Sequence, residues 1–173
     1  MAKTNNSCLL NLACIISFGY ILILVFIPSY VVYGYEEADI QRLLKTNNCR
    51  DCDLKGADLS DIKLDRAFLR DAEMQKTNLE GADMNFGDFI AANMRKANLK
   101  GTNLEGANFM HTKLEGANLS ETNLRGTDMR DARLSGTNLS NADVQEADFM
   151  WAKGLTRKQK TYLRENGAKN VPE

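Results

Sequence analysis

Every fifth residue from Leu54 to Phe149 is Leu, Met, Phe or Val, for twenty consecutive positions without a slip. Two residues before each of these sits a small side chain: eleven Ala, six Thr, and Cys52, Ile62 and Gly87. The residue directly before the large one is Asn or Asp in fifteen of the twenty units, as in Ala57-Asp58-Leu59 and Ala97-Asn98-Leu99. A period of five excludes a continuous α-helix, because at about 100° per residue successive large side chains would spray around the cylinder. It equally excludes one flat strand, where an odd spacing sends alternate large residues into water. The chain must therefore turn after every unit, so that each large residue points at a common axis.

Asn, Asp and Gly serve such turns through local backbone bonds or unusual backbone angles. Gly56, Gly81, Gly101, Gly106, Gly116, Gly126 and Gly136 all fall two positions after the large residue. Four turns per revolution predict a coil of twenty residues. Reading every twentieth residue then gives four columns of central residues, beginning at Leu54, Leu59, Leu64 and Leu69. All three Phe of the series, Phe89, Phe109 and Phe149, fall in the fourth column. Gly87 and Ile62 depart from the usual Ala or Thr, and are expected to loosen or crowd one coil without breaking register.

This pattern, from roughly Cys49 to Ala152, resembles the pentapeptide-repeat family. The resemblance implies an all-β solenoid, a right-handed quadrilateral β-helix, with the small and the large residue of each unit both facing inward. Twenty units imply about five coils and a rod ~24 Å long at strand spacing. Solenoid ends expose unpaired strand edges, so caps are expected. Glu36 to Lys45 can form a short helix with Ile40, Leu43 and Leu44 on one face. Thr156 to Gln159 matches a capping box, Gly167 is a natural stop, and Leu155, Tyr162 and Leu163 can cover the last coil. The expected organisation is an export or membrane segment at residues 1–34, a capping helix at 35–48, the repeat at 49–153, and a capping helix with tail at 154–173.

Lys3, the apolar run Leu9 to Ile27 and the break at Pro28-Ser29 are ordered as in an export signal, with Val32-Tyr33-Gly34 as a cleavage site. The alternative is an uncleaved membrane anchor through residues 9–27. Either way Glu36, Glu37 and Asp39 after the run, against a lone Lys before it, place the C-terminal part outside the cytoplasm. Cys14 lacks the rest of a lipoprotein box.

Cys49 and Cys52 stand where the first coil begins. Their spacing is that of half a zinc site or a thioredoxin-type motif. Cys8 and Cys14 lie in or beside the apolar segment and offer no credible further zinc ligands. The repeat also lacks the βαβ setting that redox catalysis uses. Outside the cytoplasm the plain reading is a structural disulfide, with free thiols and redox activity as the alternatives. The stretch Ala38 to Leu59, with Leu43-Leu44 and Thr46 before the two Cys, is also similar to exported members of the family from cyanobacteria. That similarity implies a periplasmic or thylakoid-lumen setting.

Composition narrows function mainly by exclusion. The chain has 22 basic and 23 acidic residues, so it lacks the excess of Lys and Arg that a nucleic-acid binder needs. A single His makes a His-based triad or a His-rich metal site improbable, and His111 reads as a solvated corner residue. Lys76, Arg95, Lys96 and Lys100 read as a solvated, charge-balanced side. A small-residue interior leaves no room for a cofactor or substrate pocket. The expected function is a non-enzymatic, exported structural or protein-interaction module with an unidentified protein partner, touching membrane only through an uncleaved N-terminus. Individuality lies in the outward residues, and Phe68, Phe86, Ile90, Met110, Met150 and Trp151 form the candidate partner surface. The plain alternative is that the C-terminal helix covers Met150 and Trp151 and that the others are scattered surface residues. Two alternatives come from other classes. Within the family, acidic rods imitate DNA and occupy gyrase, but residues 50–150 hold 18 acidic and 13 basic side chains, a mild excess for that role. The other alternative is a thiol-disulfide protein using Cys49 and Cys52.

Overall fold

Nearly every unit ends in a hydrogen-bonded turn, and the turn is what makes a period of five possible. The Thr102 N–H donates to the Leu99 carbonyl at 3.1 Å while Gly101 between them has φ +64°. A bond from residue i+3 back to i with positive φ at i+2 is the signature of a type II turn. The same φ recurs every fifth residue from Asp51 to Trp151, at seven glycines and fourteen other residues. A non-glycine residue in this region costs roughly 1–2 kcal/mol. Burying one Leu returns roughly 1.5–3 kcal/mol, so a unit tolerates a corner with a side chain. Glycine is favoured there without being required.

The computed structural model describes residues 36–173. The expected export signal or anchor at residues 1–34, with its apolar run 9–27, lies outside the described residues. Among those described, no helix is long and apolar enough to cross a membrane. Parallel bridges join residues twenty apart all along the repeat, from Asp53 with Glu73 to Arg133 with Lys153. Since bridges recur every five residues, each turn of the coil has four sides. They are numbered here 1 to 4 from the units centred on Leu54, Leu59, Leu64 and Leu69. One bridge shows the pairing: Leu99 N–H donates to Asn118 C=O at 2.8 Å, and Asn118 N–H donates to Ala97 C=O at 2.9 Å.

Central and small residues together make the core. Leu54, Met74, Leu79, Met84, Phe89, Met94 and Leu99 are fully buried, and so are nearly all the Ala two positions before. The Thr at small positions bury their hydroxyls without penalty. Thr77, Thr102, Thr112 and Thr122 donate to central-residue carbonyls one coil below, at 2.7–2.9 Å, and Thr127 and Thr137 to their own turn at 2.8 Å. Asn and Asp before the central residue do a different job from the corner. Their side-chain oxygen accepts the N–H two residues on, and the Asn amides ladder between coils. On side 2, Asn138, Asn118, Asn98 and Asn78 each donate to the residue below, ending on Asp58. Asp suits that lowest place, since it has no rung beneath to donate to.

Of the two local departures, Gly87 resolves differently from expectation and Ile62 keeps register as expected. Gly87 does not loosen its coil: a Cβ there would lie 2.6 Å from Cε2 of Phe89, so the missing side chain is filled by the Phe89 ring. Ile62 is only partly buried and its carbonyl still receives Asp83 N–H at 2.8 Å, so the crowding is local and the ladder is kept.

Helix α1, Glu37–Thr46, and helix α2, Arg157–Glu165, flank the repeat. In α1, Leu43 is buried and Ile40 packs on the core, but Leu44 is exposed rather than sharing their face. In α2 the capping box forms at Thr156 and Gln159, as the sequence predicts. Leu163 is buried, and Leu155 and Tyr162 pack against the core. The last coil leaves carbonyls that a further coil would have used. Thr137 C=O accepts from Gln159 Nε2 at 2.9 Å, Ala142 C=O from the Tyr162 hydroxyl at 2.8 Å, and Ala147 C=O from Lys169 N–H at 2.8 Å. Side chains of α2 and one backbone amide thus replace three rungs of a missing coil.

Candidate partner surface

Outward residues lie immediately before and after each central residue, and corners lie between sides. Side 4 carries Phe68, Asp88, Asn108, Asp128 and Asp148 before its central residues and Arg70, Ile90, Met110, Arg130 and Met150 after them. The corner leading into it carries Arg66, Phe86, Gly106, Gly126 and Glu146.

Phe86 is the prominent member. It is 53% exposed and has φ +54°, a costly backbone for an aromatic residue. The Arg66 guanidinium lies over its ring at 5.4 Å from the centroid. On the other side the ring covers Gly106, whose Cβ, if present, would lie 2.6 Å from ring carbons. Arg66, Phe86 and Gly106 therefore form a three-rung stack up one corner, and Gly106 is where a side chain would dislodge the ring. Above it, a Cβ on Gly126 would meet open space. Phe68 is half-buried under Arg70, at 5.3 Å from guanidinium to ring centroid, and Arg70 also holds Asp88 at 2.6 Å. Ile90 and Met110 are half-buried on consecutive coils.

The six residues do not form one patch. Arg130 takes the level between Met110 and Met150, where it forks onto Asp128 at 2.6 Å. That guanidinium, mainly through its hydrogen bond, holds the Asp128 carboxyl below the usual range, and the carboxylate pushes Arg130 up in turn. Phe68, Phe86, Ile90 and Met110 thus lie on the lower coils with the Arg70–Asp88 pair among them, and Met150 with Trp151 stands apart at the C-terminal end. Helix α2 does not cover Trp151, which is 64% exposed.

The sulfurs of Cys49 and Cys52 are bonded at 2.02 Å, and both residues are wholly buried. With Asp39 they bring three metal-ligating atoms within 4.8 Å of one another. The sulfurs are spent on each other, however, and the Asp39 carboxylate accepts Asp53 N–H at 2.9 Å. The donor set does not suit a metal in this state. His111 is an exposed corner residue 4.0 Å from Asp131. Arg95 pairs with Glu115 at 3.1 Å and Lys100 with Glu121 at 3.8 Å, while Lys76 and Lys96 are solvated corners.

Sequence reasoning missed the Arg66, Phe86 and Gly106 stack and the break at Arg130. Both become visible once outward residues, and not only central ones, are read in steps of twenty.

A family description, pentapeptide repeats, matches residues 48–85, 88–126 and 117–153, more than half of the chain. No protein of curated function matches it in sequence. Several solved structures are similar. The pentapeptide repeat protein Rfr23 from the cyanobacterium Cyanothece 51142 is 23% identical, over 66% of this chain and 96% of that one, with a TM-score of 0.46. A pentapeptide repeat protein from the Arabidopsis thaliana thylakoid lumen is 22% identical, over 75% and 86%, at 0.31. The plasmid-mediated fluoroquinolone resistance protein QnrB1 is 20% identical, over 68% and 84%, at 0.34.

Proposed function

The chain belongs to the pentapeptide-repeat family, and on that premise we propose a non-enzymatic, exported protein-interaction rod whose partner docks on side 4. In this reading residues 49–153 are about five coils of a right-handed quadrilateral β-helix. Residues 35–48 and 154–173 act as its lids, and residues 1–34 direct it to the periplasm or thylakoid lumen or hold it at a membrane. The docking strip is Phe68, Phe86, Ile90 and Met110, with Met150 and Trp151 as a second, terminal contact.

The observation that carries this is Phe86. A bulky aromatic held at positive φ with half its surface in water costs stability twice, once in backbone strain and once in exposed apolar area. Such local costs concentrate at functional positions. Burial of Cys49 and Cys52 favours a structural bridge within the first coil over a thiol-exchange site, because exchange needs an accessible sulfur. Imitation of DNA is disfavoured by the cationic file Lys113, Arg133 and Lys153 on side 1.

Placing a photo-reactive phenylalanine analogue at position 86 in living cells tests the reading. A discrete cross-linked adduct is expected from position 86 and none from Ser140 on side 2. Equal labelling from both positions, or none from either, would sink it.

A further inference from the structure

Side 1 carries two outward files: the bridged one, Asp53, Glu73, Asn93, Lys113, Arg133 and Lys153, and beside it Lys55, Gln75, Arg95, Glu115 and Ser135, in which Arg95 is held by Glu115 at 3.1 Å. The acidic end extends one level further down. Glu36 N–H donates to Asp53 C=O at 3.0 Å and the Asp39 carboxylate accepts Asp53 N–H at 2.9 Å, which sets Glu36, Glu37 and Asp39 beneath Asp53. Charge along the bridged file therefore reverses about Asn93, with three acidic levels below and three basic levels above. Like charges stacked on adjacent strands are unfavourable. Lys55 eases the acidic end, at 3.1 Å from Asp53 and 3.9 Å from Glu73, and Asp131 eases Lys153 at 3.4 Å. Lys113 and Arg133 have no ion-pair partner among the described residues.

We propose that side 1 docks against side 1 of a second copy, with the rods antiparallel about a two-fold axis at Asn93. A file that is antisymmetric in charge is self-complementary under that operation, which is what an isologous interface requires. Glu73 then faces Lys113 of the second copy, Asp53 faces Arg133, and Lys153 faces the acidic start of α1.

Six interstrand steps by three extended residues give a contact of about 29 Å by 10 Å. That is about 300 Å² per copy, below what stable dimers bury. The dimer is accordingly weak, driven by charge and sensitive to salt. It uses a different side from the strip carrying Phe86 and does not depend on that reading.

Sedimentation velocity of the full-length chain in mild non-ionic detergent, at hundreds of micromolar, tests it. At ~20 mM salt a dimer is expected, and at about 0.5 M salt a monomer. Glu73→Lys and Lys113→Glu should each weaken association roughly tenfold, and the double variant, which restores the facing pairs, should regain it. Asp53→Lys with Arg133→Glu supplies a second swap should one single variant fold poorly. A monomer at low salt, salt-insensitive association, or swaps no better than their single variants would overturn the proposal. Parallel rods are among the outcomes that fail, since position 113 would then face Glu115 and the swap would not rescue.

Discussion

The rings of Phe89 and Phe109 lie one coil apart, stacked with centroids 4.7 Å apart and planes 7° from parallel. That separation is the interstrand spacing itself, so the backbone ladder sets the stack and the rings conform. Phe89 achieves it by leaning over Gly87, while Phe109 keeps Ala107 at the equivalent place.

Substituting Gly87 with Ala therefore separates this site from an ordinary glycine. Where the backbone is compatible, Gly to Ala usually stabilises by about 0.4–1 kcal/mol through the unfolded chain. Here the added methyl overlaps the Phe89 ring, and a loss of about 1–3 kcal/mol is expected in denaturant unfolding. Phe89→Leu introduced with it should recover much of that loss, because the two residues share one space.

Corner and core alanines should respond in opposite directions. Ala91 stands at a corner with φ +58°, and Ala97, two residues before Leu99, is buried. Ala91→Gly is expected to raise unfolding stability by about 0.5–1 kcal/mol through relief of strain. Ala97→Gly should lower it by about 1 kcal/mol or more, by opening a void. Equal effects at the two positions would contradict the alternation of corner and core.

Helix α2 makes its own prediction. Tyr162→Phe removes the donor to Ala142 C=O and should cost about 1–2 kcal/mol. Gln159→Ala removes the donor to Thr137 C=O together with the capping box. With both changes two rungs of the last coil are bare, and light scattering should show end-to-end association that the parent protein lacks.

Acid stability should follow three carboxylates. Asp58, Asp83 and Asp128 are all held below the ordinary range, chiefly by side-chain hydrogen bonds from Ser60, Asn85 and Arg130 respectively. A depressed folded value means that their stabilisation is complete above the unfolded carboxyl range, near pH ~4, and fades as pH falls through the folded values. Melting temperature should drop on acidification below about pH 4. Replacing all three with Asn should flatten that acid limb.

Much of this architecture is legible in the residue order because one short rule repeats. A large residue every fifth position, a small one two before it and a turn two after it leave one way to bury every Leu. The coil of twenty and a turn at each corner follow, and the family resemblance implies the inward small residue. Ile40 and Leu43 were likewise readable from helical spacing, and the α2 cap from Thr156 and Gln159. What the repeat does not encode is how neighbours on successive coils adjust to one another. Gly87 looks like a weakness until the Phe89 ring is seen lying over it. Leu44 shares the apolar pattern of α1 but not its buried face. Phe68, Phe86, Ile90, Met110, Met150 and Trp151 look like one surface until Arg130 divides them.

The residue order by itself determined where each side chain goes, in or out, because burial acts unit by unit over five residues. Only the tertiary structure decided which outward residues stand together. Coiling brings residues twenty apart within a single strand spacing, and contacts such as Arg66 on Phe86 or Lys113 beside Arg133 exist only across that step.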